Sequence, residues 1–287
     1  MIRPVGRLPT LASMSLPALL RGLVLACHPL PTLAVTGFTT AFAAAAGLPP
    51  GRVVLVAVAV LLGQLSIGWC NDWVDAPRDL VAGRRDKPAA TGLVPPRLLA
   101  GAAVAALAAC AAASLALGVR AAGAHALTVL GGWAYDLWLK PTVASFVPYA
   151  VAFGALPAVA TLAADVAQLP EPGVMAGGAL LGLAAHFTNT VGDTDADAAT
   201  GVRGLPQRLG PAVSPRVSAV LVVLAAVSLL TAARGAGAVA LAVLVAGALV
   251  GAAGVVLGGD LSARGRLAFR LTLLAVALVI VGFLLSA

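Results

Sequence analysis

An all-α protein that crosses a membrane many times is the fold class this sequence predicts, and three observations predict it. The 287 residues are 61% hydrophobic with a mean hydropathy of +1.02, and only 10% are charged, far from the composition of a soluble domain. Apolar runs long enough to span the hydrocarbon core of a bilayer recur along the whole length. The Lys and Arg residues gather in alternate connections between those runs, as the positive-inside rule requires of a multi-span protein.

The runs give nine candidate helices, at about residues 16–46, 52–73, 96–118, 121–139, 142–164, 173–192, 213–233, 236–257 and 266–286. The first is long and contains Pro29 and Pro31, which predicts a kink. Short connections marked by Gly and Pro separate most of the others, as in GLPPGR at 47–52 and QLPEPG at 168–173. Two connections are longer, 74–95 and 193–212, each with room for a short helix of its own. No cleavable signal peptide is predicted, because the first 15 residues lack an apolar core and the first helix carries Arg21 and His28. The whole of 1–287 reads as a single domain.

The net charge of +7 belongs to topology rather than to nucleic acid. With a cytoplasmic N-terminus, nine spans place 15 of the 18 Lys/Arg inside, leaving only Arg52, Arg120 and Arg234 outside. That orientation makes the chain a multi-pass protein of the plasma (inner) membrane, with both long connections facing the cytoplasm. Cys27, Cys70 and Cys110 are odd in number, lie in apolar helices and show no metal-ligand spacing, so they read as small core hydrophobes.

The long connections carry the chemistry. NDWVDAPRDLVAGRRDKPAATG, residues 71–92, holds four aspartates and four basic residues. NTVGDTDADAATGVRGLPQRLG, residues 189–210, repeats its pattern N-x3-D-x3-D-x3-G-x-R-x2-P-x3-G at seven positions without a gap. The duplication predicts two pseudo-repeated halves, and membrane proteins often build a site where repeats meet. Asn71, Asp75 and Asp79 have i, i+4, i+8 spacing, as do Asn189, Asp193 and Asp197, so each set projects one amide and two carboxylates from one helix face. Pro77 predicts a kink or an end to the first of these helices near Trp73, leaving Asp79 on a following turn.

Carboxylates at membrane depth are expensive unless paired or metal-bound. Oxygen donors facing a cavity suit a hard cation such as Mg²⁺, which keeps waters and completes its shell with substrate phosphates. Arg85, Lys87, Arg203 and Arg208 are placed to meet phosphate oxygens. The residues alone therefore point to a membrane enzyme that binds a phosphate or diphosphate ester through Mg²⁺. Asp195 lies two residues from both Asp193 and Asp197, on the other helix face, and reads as solvated or as an outer contact behind the ligands.

NDxxDxxxD at 71–79 and DxxxD at 193–197 resemble the two aspartate-rich motifs of the UbiA superfamily of intramembrane prenyltransferases. The tail DADAATGVRGLPQRLG is similar to that family's D-x-x-x-G-x-(K/R)-(T/S)-L-x-x-x-L-G, with Gly204 in place of the hydroxyl residue. YDLWLKP resembles its YxxxK motif at Tyr135 and Lys140, with one residue more between them. The resemblance implies an all-α bundle around a central cavity and transfer of a polyprenyl group from an allylic diphosphate, with release of pyrophosphate.

On that reading Asp75, Asp79, Asp193 and Asp197 hold Mg²⁺. Asn71 and Asn189 act as neutral oxygen ligands, and Asp72 makes an outer contact. Lys140, Arg85, Lys87, Arg203 and Arg208 bind the departing diphosphate. The acceptor is a small aromatic ring, with Arg21, His28, Tyr135 and His186 as candidates to bind it. Arg21 and His28, seven apart, are expected on one face of the first helix, and His186 on the face of Asn189. A non-aromatic acceptor is the nearest alternative. A CDP-alcohol phosphotransferase is disfavoured because Ala76, not Gly, follows Asp75. A transporter is disfavoured because Asp165 and Glu171 are the only acids on the outer side. A lipid bilayer is the only other partner implied.

Overall fold

The computed structural model describes residues 15–190, 201–233, 237–257 and 263–285, and these are helical with no strand among them. In chain order they form α1 (Leu16–Ala26), α2 (Pro29–Ala45), α3 (Pro50–Val81), α4 (Pro96–Ala116) and α5 (Val119–Ala134). Then come a π turn (Tyr135–Leu139), a 3₁₀ turn (Val143–Phe146), α6 (Val147–Thr161) and α7 (Pro172–Asn189). A short α8 (Leu205–Leu209) precedes α9 (Ser214–Ala232), α10 (Ala238–Leu257) and α11 (Ala263–Leu284). Proline opens α2, α3, α4 and α7, where its fixed φ suits the first turn and its missing N–H is no loss.

Among the described residues four helical segments are each long and apolar enough to cross a membrane: Pro50–Val81, Pro96–Ala116, Val143–Thr161 and Ser214–Ala232. The bent pair α1 and α2 makes a fifth if counted as one span. Neighbours in the chain pack on one another from α2 to α7, α9 packs on α7, and α10 and α11 follow. The last helix returns to the first: α11 touches α2, with the Phe42 and Phe283 rings 5.8 Å apart. The described helices thus form a closed ring, with one apolar core running through α2, α3, α7, α9, α10 and α11.

The predicted kink in the first segment is a full break of 64° between α1 and α2. His28 occupies the left-handed region there, with φ 53°. Pro29 and Pro31 cannot supply N–H groups to continue the ladder, and the Thr32 hydroxyl donates to the freed Cys27 carbonyl at 2.6 Å. The elbow seats on Gly68 of α3, where a Cβ would lie 2.7 Å from the Cys27 carbonyl oxygen. Arg21 and His28 therefore do not share a helix face, contrary to their spacing. The break rotates one away from the other.

Pro77 also behaves differently from the sequence expectation. α3 runs unbroken through it to Val81, so Asp72, Asp75 and Asp79 all stand on one helix. Pro77 itself is exposed, while Asp75 before it and Asp79 after it are buried. Contacts on both sides hold the helical register across the single missing hydrogen bond. The helix ends at Gly83, φ +66°, where Gly83 N–H reaches Leu80 O and Arg84 N–H reaches Asp79 O at 3.0 Å. That pair of bonds is the Schellman arrangement, which only a left-handed residue permits. The expected short helix within 74–95 is absent; the chain from 84 to 95 makes turns only.

Candidate active site

The polar end of α3 is built against the π turn in two rungs. Asn71 Nδ2 donates to Asp136 Oδ1 at 2.8 Å, and one turn on, the Lys140 ammonium donates to Asp75 Oδ2. Asp75 also faces Arg78, with Nη1 3.2 Å from Oδ1. Asp72 is paired on its own side of the helix with Lys87, Nζ to Oδ1 3.0 Å. His28, brought in by the elbow, lies 3.3 Å from the Lys87 ammonium and 3.7 Å from Asp72 Oδ1.

Asp72, Asp75, Asp79 and Asp136 are all buried. Asp72 Oδ2, Asp79 Oδ2 and Asp136 Oδ2 are buried with no hydrogen-bond partner, and Asp75 Oδ1 has the Arg78 guanidinium as its one ion-pair neighbour. A buried polar atom left unsatisfied is costly, and unpaired hard oxygens are the donors Mg²⁺ prefers. The donor chemistry fits that ion. Among the described residues no three acidic, His or Cys groups converge on one coordination point, so the first set does not make a metal centre by itself. Asp193, Asp195 and Asp197 lie outside the described residues.

What the structure does describe of the second copy meets the first through Lys140. Its backbone is held at the end of the π turn, with Lys140 N–H bonded to Tyr135 O at 2.9 Å. Gly204 backs onto it: a Cβ at 204 would sit 2.8 Å from the Lys140 carbonyl oxygen and 2.9 Å from Ser145 Oγ. The residue lacking the usual hydroxyl is thus one where no side chain fits, and Ser145 supplies a hydroxyl beside it. Ser145 Oγ accepts Leu205 N–H at 2.9 Å and lies 3.0 Å from His186 Nε2. Arg203 and Arg208 are exposed, and Arg208 Nε donates to the Arg203 carbonyl at 2.8 Å.

Beside this junction is an aromatic cluster. Tyr135 and Tyr149 meet edge to face at 5.1 Å, and the His186 ring lies 4.7 Å from Tyr149. Asn189 stands at the accessible end of α7, close enough to act on the Tyr149 hydroxyl. Of the predicted acceptor residues, Tyr135 and His186 are together here, His28 stands across the site by Asp72, and Arg21 is exposed on α1. Arg85 is exposed on the turn after α3. Next to it, Arg84 forks onto Asp86 and holds that carboxyl at about 2. A depressed carboxyl adds stability above its ordinary range and loses it only as pH falls through about 2. This exposed pair is therefore set throughout any working range.

A family model for the UbiA prenyltransferase family matches residues 30–274. The chain belongs to the UbiA prenyltransferase family. Solved structures of similar fold include a UbiA homologue from Archaeoglobus fulgidus bound to DMAPP and Mg²⁺, at TM-score 0.71 and 16% identity, covering 91% of this chain and 97% of that one. An apo UbiA homologue from Aeropyrum pernix K1 superposes at TM-score 0.73 with 19% identity, over 88% of this chain and 96% of that one. A digeranylgeranylglyceryl phosphate synthase matches at TM-score 0.69 and 15% identity, over 93% and 97%. No curated protein sequence matches the chain.

Within the UbiA fold, sequence reasoning misses Asp136, Arg78 and Ser145. Asp136 carries the clearest overlooked signal, as a lone acid inside an apolar helix. Its distance from Asn71 is also the same 65 residues that separate Asp75 from Lys140. Arg78 lies in the charged stretch but three residues past Asp75, a spacing that predicts a pair on one helix face. Ser145 has no signal in the sequence.

Proposed function

We propose that this chain transfers a polyprenyl group from an allylic polyprenyl diphosphate to a small aromatic acceptor, releasing pyrophosphate. One observation carries the reading: Lys140 joins the two duplicated stretches, its ammonium on Asp75 of the first and its carbonyl against Gly204 of the second. Two halves of one diphosphate site would need such a junction. The glycines of the repeat support it, since Gly83 and Gly201, and Gly92 and Gly210, all adopt positive φ between +66° and +82°. Each repeat position that takes the left-handed conformation in one copy takes it in the other.

Asn71, Asp75 and Asp79 from one side, with Asn189, Asp193 and Asp197 from the other, would hold Mg²⁺. Bound there, Mg²⁺ would neutralise the charge that gathers on pyrophosphate as the allylic C–O bond breaks. Lys140, Arg78 and Lys87 supply ammonium and guanidinium groups at the same end of α3, and Arg85, Arg203 and Arg208 extend them outward to the diphosphate. Asp72 holds Lys87 through Oδ1, and its other oxygen would make an outer contact to the ion. Tyr135, Tyr149 and His186 would back the acceptor as an aromatic wall, with Tyr149 its partly exposed member, and the apolar walls keep water from the electron-poor allylic carbon. His28 orients the acceptor from the opposite side; Arg21 is the weakest member of the set. Nine spans, with the N-terminus and both aspartate stretches cytoplasmic, complete the proposal.

The test is turnover of a radiolabelled polyprenyl diphosphate by purified protein, with aromatic and non-aromatic acceptors offered in parallel. Product and pyrophosphate should require a divalent cation. Asp193→Asn should lower kcat by about 10²–10³ with a smaller change in prenyl affinity, as expected when charge stabilisation is used mainly in the transition state. Intact diphosphate moved across liposomes with no pyrophosphate released would mean a transporter instead.

A further inference from the structure

We propose that Asp136 is a positioning residue for the first aspartate set: it fixes the Asn71 side chain so that the amide oxygen is the end presented to the metal. The inference rests on the metal-dependent reading above and deepens it. A carboxylate can only accept hydrogen bonds when ionised, and the Asn71 amide has a donor end and an acceptor end. With Asp136 Oδ1 at 2.8 Å, the donor end is committed. The oxygen is then the end left over for a cation, on a residue that is itself only partly buried. An unconstrained amide would present either end, and only one of them binds a cation.

The surroundings are built for this task. Asp136 is 3% exposed, and its other oxygen has no partner, an arrangement too costly to keep without a use. It stands on the π turn, one turn before Lys140, opposite residues one turn apart on α3. The two rungs therefore set amide and carboxylate together, as a rigid pair rather than as two independent side chains. Partners behind a metal ligand typically affect affinity by about ten- to a hundredfold.

The probe is Mn²⁺, titrated by electron paramagnetic resonance into full-length protein in detergent with an unreactive prenyl thiolodiphosphate present. D136N keeps size and hydrogen-bonding capacity but lets the two amides pair either way round. Mn²⁺ affinity should fall about tenfold, with the melting temperature little changed. N71D/D136N restores a one-way bond, amide donating to carboxylate with the roles reversed, and leaves a carboxylate oxygen toward the site. Affinity should return to within about threefold of wild type, or exceed it. Unchanged affinity in D136N overturns the inference, and so does a double variant that binds no better than D136N, because Asp136 would then itself be the ligand. If D136N fails to fold, the double variant decides alone: affinity within about threefold of wild type upholds the inference and a larger loss overturns it. Wild type that binds no Mn²⁺ and releases no pyrophosphate sinks the enzyme reading as well; wild type that does both while D136N binds equally sinks only this inference.

Discussion

Lys87 has two neighbours, Asp72 at 3.0 Å and His28 at 3.3 Å, and the pair it makes with Asp72 is nearly sealed from solvent. Breaking a buried pair from one side leaves an uncompensated charge, which typically costs about 3–5 kcal/mol, whereas removing both charges costs far less. Lys87→Met should accordingly lower the melting temperature in detergent sharply, and D72N/K87M should recover most of the loss. Equal destabilisation by both variants would show that Lys87 matters for packing rather than for charge. Single residues were the least legible part of the sequence. Asp75 and Asp79 stood out because their type, depth and spacing all point to metal. The partners of Asp72 did not, because His28 and Lys87 reach it from segments 44 residues before and 15 after, across a helix break that no periodicity encodes. Asp136 is hard to read from the sequence because the recognisable motif consists of Tyr135 and Lys140, the residues at either end of its turn.

The π turn explains how an extra residue between Tyr135 and Lys140 is tolerated. In an α-helix the residue four along bonds back to the first; here the residue five along does so, Lys140 N–H to Tyr135 O. Lys140 thus stands over Tyr135 where the fourth residue of an α-helix would, and its ammonium still meets Asp75. Deleting Trp138, which is 66% exposed, should convert the turn to α-helix and leave turnover within a few-fold of wild type. Inserting an alanine beside it should rotate the lysine away and abolish turnover, typically 10²-fold or more for a lost charge stabiliser. A deletion as damaging as the insertion would mean that the widened turn itself, and not the direction of Lys140, is what function needs. At this scale the sequence was more readable. Hydropathy located the helices and prolines marked where most begin, since both act locally. Pro77 misled because its effect depends on burial around it, and α3 is clamped on either side.

As a ring, the molecule places its two kinds of charged contact at opposite ends of α3. Arg52, at its start, pairs with Asp165 at 3.0 Å, and the aspartate site lies at its finish. Cysteines introduced at Ala82 and Ala144 should therefore react with an impermeant reagent only from one side of the membrane, and one at Ala122 only from the other; on the proposed orientation the first side is the cytoplasm. The three native cysteines are buried and should give little background. Ala82 and Ala144 labelling from opposite sides would break the shared-site arrangement. The all-helical class was plain from composition because a bilayer permits few backbone solutions. Closure of the ring was not, since α11 meets α2 through contacts between chain ends that carry no local pattern. The paired cations also bear on how the protein survives before it meets substrate. Lys140, Arg78 and Lys87 already lie against the acidic end of α3, so three cations offset most of the charge of Asp72, Asp75, Asp79 and Asp136. On the metal-dependent reading, and unlike a zinc finger, whose fold collapses when its ion is removed, this chain should fold and insert without a divalent ion. A chelator should silence it reversibly and leave the bundle intact.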